Sequence, residues 1–276
     1  MIPAPFDYAR AESVDQAIEL LSKNEDAKVI AGGHSLLPLM RLRLARPAML
    51  VDISRIRDLS YIREDGDRIA IGALARHHDV ANSEVLQKSC PIVSYAASLI
   101  GDPQVRHVGT IGGSCAHADP ASDTPTVLLA LGAELVIQGS KRRSRTVKAA
   151  DFFKGLFEPD LAANEVLAEI RVPKTAGRGW SYIKFHRRAQ DWAVVGVAAL
   201  AGNGAGPAVA LTNMGERPLR ATGVEEALAG GADPATAAQR ADEGTSPPSD
   251  PFGSAEYRKE LSRVLVRRAL AEAMAR

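Results

Sequence analysis

Twice in this chain an apolar segment runs into two adjacent glycines followed by small polar residues. The first instance is KVIAGGHSLLPLMRLRL at 28–44, and the second is GTIGGSCAHADPASD at 109–123. A glycine pair lets the backbone enter the left-handed region and lets a ligand approach the main chain. Successive N–H groups at such a bend form an anion-binding concavity. In AGGHS the bend also opens into a helix start, which adds unpaired N–H donors and the positive end of a dipole. In TIGGS the hydroxyls of Thr110 and Ser114 add further donors. Either pair alone reads equally as an ordinary tight turn. Two such bends in one fold suit two linked phosphates, and hence a dinucleotide.

Neither bend matches G-x-G-x-x-G or G-x-x-x-x-G-K-[ST], so a Rossmann site and a Walker loop are not expected. The 276 residues, 46% of them hydrophobic, leave room for one large domain or two to three small ones. A net charge of +1 with no basic face argues against nucleic acid as a partner. No apolar run is long enough to span a bilayer. The opening MIPAPFDYARAES has no apolar signal region, so no secretory leader is expected. Cys90 and Cys115 form neither a disulfide framework nor a Cys-x-x-Cys pair, which fits a reducing cytoplasm. Two cysteines also cannot supply the ligands of an iron–sulfur cluster.

Ser13 and Gln16 match a capping box, and Val14, Ala17, Ile18 and Leu21 then mark one helical face. A short strand is expected at 29–31. Ser35 is placed to cap the next helix, with Leu36, Leu39, Met40 and Leu42 on its apolar side and Arg41 and Arg43 toward water. Strands follow at 49–53 and 68–72, and a helix at 91–100 begins on Pro91 and stops before Gly101. The stretch 101–125 is too poor in periodicity to be one element, and a helix follows it at 125–131. Strands at 135–138 and 145–148 flank the turn GSKRR, and another at 166–172 ends on Pro173. Beyond KTAGRG, three antiparallel strands are expected at 180–186, 193–201 and 208–213, with the turn GNGAG among their connections. The tail from 224 to 276 is helical, interrupted by EGTSPPSDPFGS. The division that results is 1–54, an α/β lobe; 55–176, an α+β lobe; and 177–276, a three-stranded sheet with helices.

AGGHSLLPLMRLRLARPAMLVDIS, DPQVRHVGTIGGSCAHADPASDTP and GWSYIKFHRRAQDWAVVGVAAL together resemble the FAD-binding medium subunits of the molybdenum hydroxylases, most closely those of the aerobic carbon monoxide dehydrogenase type. The resemblance runs nearly end to end and includes the AEYRKELSRVLVRRAL tail. It implies an α+β fold of the vanillyl-alcohol-oxidase (PCMH) type, with FAD between two N-terminal α/β lobes and touching a C-terminal antiparallel sheet with helices. By motif match, Ala31, Gly32, Gly33, His34 and Ser35, followed by Leu36, wrap one side of the diphosphate. Thr110, Ile111, Gly112, Gly113 and Ser114 wrap the other. Asp123 matches a cofactor-contacting acid, Leu167 an apolar contact, and Lys184 a lysine near the flavin ring that would favour the reduced, anionic flavin. Trp192 stands where relatives often carry a tyrosine covering one face of the isoalloxazine. It keeps the aromatic face and loses the phenol O–H.

The family further implies non-covalent FAD here, a molybdopterin on a large partner subunit and [2Fe-2S] clusters on a small one. Electrons leave the molybdenum centre, cross the clusters and reach the flavin, which hands them to an external acceptor. The expected assembly is a dimer of heterotrimers, cytoplasmic or peripheral at the inner face of the membrane. The same role in an N-heterocycle, purine or aldehyde hydroxylase is the alternative. A cofactor-free interaction subunit and a free-standing flavin oxidase are the readings from other classes. Other candidates have simpler explanations. His34 contributes its backbone N–H rather than a covalent flavin bond, and His117 in HAD bonds its neighbours rather than a metal. His77 and His78 read as a helix cap or a solvated pair, and KRRSR at 141–145 as a solvated hairpin tip. Ser114, His117 and Asp119 lack a nucleophile elbow, so no hydrolase is expected.

Overall fold

In the computed structural model, which describes residues 2–201 and 206–276, the Ser13 hydroxyl accepts the Gln16 amide at 3.1 Å and starts the first helix. The Gln16 side chain closes back on the amide of Glu12 at 2.6 Å, one residue earlier than a capping box predicts. Strand β1 (Asp7–Arg10) precedes this helix, α1 (Val14–Lys23), which buries Ala17, Ile18 and Leu21. Strands β2 (Ala27–Ile30) and β3 (Met49–Asp52) join β1 in a parallel sheet of order β1-β3-β2. Between them lies α2 (Leu36–Arg41). Ser35 does not cap it: its backbone is already helical and its hydroxyl makes no cap bond. The expected apolar side is also shorter than four leucine and methionine positions. Met40 is buried, but Leu42 is 59% exposed. The helix ends before Leu42, and Arg43 has φ +60°, so the chain turns away from the core there.

The middle lobe starts with the hairpin β4 (Ile62–Asp65) and β5 (Arg68–Gly72). Five helices follow: α3 (His77–Asn82), α4 (Glu84–Ser89), α5 (Pro91–Ser98), α6 (Pro103–Val108) and α7 (Ile111–His117). The last two occupy the stretch without periodicity. Asp102 caps α6 by accepting the Val105 amide at 2.8 Å, and Thr110 caps α7 by accepting the Gly113 amide at 3.1 Å. The second glycine pair is therefore the first turn of a helix, not a loop. Helix α8 (Asp123–Leu131) begins two residues earlier than expected and stops on Gly132, whose φ of +63° suits glycine. Strands β6 (Glu134–Gln138) and β7 (Ser144–Lys148), helix α9 (Ala149–Phe152), the hairpin β8 (Phe153–Gly155) and β9 (Glu158–Pro159), and strand β10 (Val166–Pro173) complete the lobe. The sheet is antiparallel, of order β4-β5-β10-β6-β7. Strand β10 reads as a continuous apolar run because it serves two cores. Val166 and Ala168 pack on the first lobe, while Leu167, Ile170 and Val172 pack within the middle one.

The C-terminal sheet has four strands rather than three: β11 (Gly179–Phe185), β12 (Val195–Ala201), β13 (Ala208–Thr212) and a two-residue β14 (Leu219–Arg220), in that order. The turn expected at 202–206 lies, Gly206 apart, outside the described residues. Helices α10 (Thr222–Ala229), α11 (Pro234–Ala238) and α12 (Ala255–Ala275) cover one face. A Cβ at Gly179 would strike the Ala273 carbonyl, so α12 rests directly on the β11 backbone. Helix α8 fills the space between this sheet and the middle one. All nine of its residues are buried, and Thr212 donates its hydroxyl to Thr126 at 2.8 Å. A helix without a polar face is what a position between two sheets requires. Leu128, fully buried on α8, is a test of that position. Leu128→Ala is expected to lower unfolding stability by about 3 kcal/mol, read from the urea midpoint.

Candidate cofactor site

Where the three lobes meet, the start of α2, the first turns of α7 and α8, strand β10 and the segment before β12 enclose an open cleft of about 510 Å³. That is the size of a small-molecule site. Fourteen of the fifteen residues singled out in the sequence line it: Ala31, Gly32, Gly33, His34, Ser35, Leu36, Thr110, Gly112, Gly113, Ser114, Asp123, Leu167, Lys184 and Trp192. Ile111 does not. Its side chain is fully buried in the middle core, because the helical turn of α7 rotates it away from its neighbours that face the cleft.

The two glycine bends touch. A Cβ at Gly32 would strike the carbonyl of Val108 and lie 2.8 Å from the Cα of Gly109. Gly33 has φ +75°, which turns the chain into α2. Among the described residues, no protein acceptor meets the amides of Gly32, Gly33, His34 or Ser35. The second bend differs. The Ile111 amide goes to Ala75 O at 3.0 Å, that of Gly112 to Ala73 O at 2.9 Å, and that of Ser114 to Thr110 O at 3.1 Å. Gly113 is held by Thr110 Oγ1. These amides are already spent on the fold, and Gly112 is glycine because a Cβ would sit 2.5 Å from that of Ala73. The first bend thus presents amides to the cleft, and the second presents the Thr110 and Ser114 hydroxyls.

His77 is neither a cap nor solvated. It lies 3% exposed beneath Gly109, with Nε2 3.1 Å from Ser114 Oγ. His78 is half-buried rather than solvated, stacked on His107 with centroids 3.9 Å apart. Burial first, then the charges of Arg106 and Arg76, hold the His77 pKa down at about 4.

On the cleft floor, Asp123 accepts from Tyr182 Oη at 2.6 Å and from Lys184 Nζ at 2.8 Å. Lys184 also donates to Leu99 O at 3.2 Å. Both ends of the ion pair are almost completely buried. Burial pushes the Asp123 carboxyl up, and Lys184 and Tyr182 pull the other way. Lys184 is therefore on the cleft lining but is not an isolated cation there: its charge is matched by Asp123 at contact distance. Tyr182 was not anticipated, although strand alternation places it on the same face as Lys184. Leu167 forms an apolar patch of the wall. Trp192 is 68% exposed in the segment joining β11 to β12.

Phe157, also unanticipated, hangs over the cleft from the tip of the β8–β9 hairpin with φ +58°. Its ring meets that of His117 at 5.0 Å, so His117 is engaged in packing. Asp119 Oδ1 accepts the Ala121 amide at 2.8 Å, and no catalytic triad forms. Nor do any three metal-ligating side chains cluster among the described residues. The basic run is only partly a solvated tip. Arg142 pairs with the exposed Asp15, but Arg145 is bound by both oxygens of Glu165 at 2.9 and 2.7 Å and by Asp160 at 2.6 Å. Cys90 and Cys115 are unpaired, and burial pushes each thiol up to about 12.

Residues 4–175 match the model of the FAD-binding domain in molybdopterin dehydrogenases, and residues 180–273 that of the carbon monoxide dehydrogenase flavoprotein C-terminal domain. The chain belongs to this family of FAD-binding subunits. It is 43% identical to the carbon monoxide dehydrogenase medium chain of Hydrogenophaga pseudoflava, covering 100% of this chain and 99% of that one. It is 39% identical to the glyceraldehyde dehydrogenase medium chain of Sulfolobus acidocaldarius, covering 99% of each. The solved carbon monoxide dehydrogenase of H. pseudoflava superposes with a TM-score of 0.96 at 42% identity, covering 100% of this chain and 99% of that one. The α+β FAD-binding fold expected from the sequence is the fold found. No described helix is long and apolar enough to cross a membrane.

The buried His77 makes stability depend on pH. The unfolded imidazole takes up a proton below its ordinary value of 6.5, while the folded one stays neutral to about 4. The unfolded state binds more protons in that window, so stability falls as pH falls through it. The expected loss from this one group is about 3 kcal/mol between pH 7 and pH 4. Urea unfolding across that range should show a shallower decline in His77→Gln than in the wild type.

Proposed function

We propose that this chain is the FAD-bearing electron-transfer subunit of a molybdenum- and iron–sulfur-containing dehydrogenase. The observation that carries the reading is the row of unpaired amides at Gly32–Ser35, set at a helix start and faced across the cleft by two hydroxyls. Such a donor set suits a diphosphate. The amides of the first bend hold one side of it, and Thr110 and Ser114 donate from the other. Leu167 supplies an apolar wall, Trp192 an aromatic face for the ring system, and the Asp123–Lys184 pair a neutral floor. When bound, FAD supplies the redox chemistry, taking up electrons from one carrier and delivering them to another. The protein binds it, orients it and excludes water from its inner face.

The partners in this reading are a small subunit with [2Fe-2S] clusters and a large subunit with molybdopterin, assembled as a dimer of heterotrimers in the cytoplasm. The lobes serving this site divide at 54/55 and 176/177. Oxidation of carbon monoxide is the reaction of the complex favoured by the likeness to the H. pseudoflava medium chain, at 43% identity. A glyceraldehyde dehydrogenase relative of nearly equal identity keeps aldehyde oxidation as the second reading. The substrate is met on the large subunit in either case.

Co-purification on the tagged chain should bring down two partner chains with molybdenum, iron and flavin. A complex that lacks flavin absorption after incubation with FAD would end the proposal. Gly32→Ala is expected to drive the two bends apart and to weaken FAD retention by at least about tenfold, since the new methyl meets backbone that cannot step aside. Retention of flavin on gel filtration checks it.

A further inference from the structure

The hydroxyl of Ser114 is the only polar hydrogen this residue can offer the cleft, because its amide is bonded to Thr110 O at 3.1 Å. A hydroxyl can point its hydrogen at His77 or away from it, and the imidazole decides which. His77 Nε2 lies 3.1 Å from Ser114 Oγ, while Nδ1 is buried and meets no partner. Two neutral tautomers are available. With the hydrogen on Nδ1, a donor would be buried without an acceptor, and Nε2 would draw the Ser114 hydrogen inward. With the hydrogen on Nε2, only a lone pair is left unmatched, and His77 donates to Ser114 Oγ. Buried orphan donors are rarer than under-used acceptors, and each costs the desolvation of an N–H. The protonated ring is excluded by the same burial, with Arg76 and Arg106 adding positive charge nearby and His34 facing it from the first bend.

We propose that His77 is a positioning residue: it is held as the Nε2–H tautomer and donates to Ser114 Oγ, which turns the Ser114 hydrogen into the cleft as a donor to an anionic ligand oxygen. Thr110 repeats the arrangement by another route. Its Oγ1 accepts the Gly113 amide at 3.1 Å, which leaves its hydrogen free to donate as well. On this side of the cleft each hydroxyl then accepts one hydrogen bond from the fold, and among the described residues no protein acceptor takes its hydrogen. The ligand's identity as a diphosphate rests on the function proposed above. The tautomer and the orientation of Ser114 do not.

The test uses the full chain labelled with 15N-histidine, the His77 signals being identified by their loss in His77→Gln or, should that variant not fold, by the contact of the ring Cδ2–H with Gly109. At neutral pH and down to about pH 5, Nε2 should resonate as a protonated, pyrrole-type nitrogen and Nδ1 as a pyridine-type one. A His77 found as the Nδ1–H tautomer, or as imidazolium at neutral pH, overturns the proposal whether or not variants fold. The second arm measures FAD affinity by flavin fluorescence for wild type, Ser114→Ala, His77→Leu and the double variant, each in the purified complex. Each single change should raise the Kd about tenfold, and the double about tenfold rather than a hundredfold, since both remove one donor. Additive losses overturn the positioning role. Failure of the wild-type complex to bind FAD would instead sink the proposed function and leave the tautomer to the nitrogen spectrum.

Discussion

The cleft exists because Gly32 has no side chain. Its backbone lies against the carbonyl of Val108 and the Cα of Gly109, and no larger residue leaves room for that approach. This contact seats the first lobe on the junction between α6 and α7, and it brings the start of α2 opposite the start of α7. Arg76 supports the same junction from below by donating to the Val108 carbonyl. The two glycine pairs look alike in the sequence and do different work. Gly32 and Gly33 keep a row of amides open. Gly112 lets α7 pack on Ala73, and the amides around it are consumed in doing so. The similarity of the motifs reflects a shared need for close backbone approach, and only one of them also presents donors.

Elements that carry their own signals were legible in the sequence. Helix α1 has a capping serine and a clear apolar face, β6 and β7 alternate around a turn, and β10 ends on a proline. Those that depend on a partner were not. Strands β1 and β14 span four and two residues and exist by pairing with β3 and β13. Helices α6 and α7, six and seven residues long, are too short to show a period. Their caps were there to be read: Asp102 and Thr110 each stand three residues before the amide they accept. The site was legible to the level of the glycines and their polar neighbours. The roles of Ile111, His77 and Lys184 were not, since each depends on what packs behind it. Ile111 is turned inward by the pitch of α7, His77 is covered by Gly109, and Lys184 is matched by an acid from another lobe. Phe157 has no signal beyond a hairpin tip, because its position over the cleft comes from the tertiary path of β8 and β9.

The pairing of Asp123 with Lys184 bears on how the cleft can hold an anion. It joins the first turn of α8 to strand β11 and so ties the middle lobe to the C-terminal one at the floor of the site. Removing either partner would leave a buried charge uncompensated, which makes the pair a structural lock more than a source of free charge. Two further cations behind the bends are engaged as well. Arg76 donates to Val108 O, and Arg106 donates to the carbonyls of Ile100 and Gly101 at 2.9 and 3.1 Å.

With these three cations bound to carboxylate or carbonyl oxygens, the donors that the two bends themselves set toward the cleft are uncharged, amides at Gly32–Ser35 and hydroxyls at Thr110 and Ser114, and the exposed Lys28 ahead of the first bend is the lysine left on the lining. Recognition of a diphosphate by such a set depends on geometry rather than on net charge. Each bond is short-ranged and directional, and salt screens it far less than it would a surface ion pair. That places a strict demand on preorganisation, because a neutral donor turned the wrong way contributes nothing at a distance. The two glycine bends meet the demand for the amides by fixing the backbone. For the hydroxyls it falls to the groups behind them, the Gly113 amide behind Thr110 and the His77 imidazole behind Ser114. A chain with almost no net charge can in this way offer a site for a dianionic group without burying a lone cation to attract it.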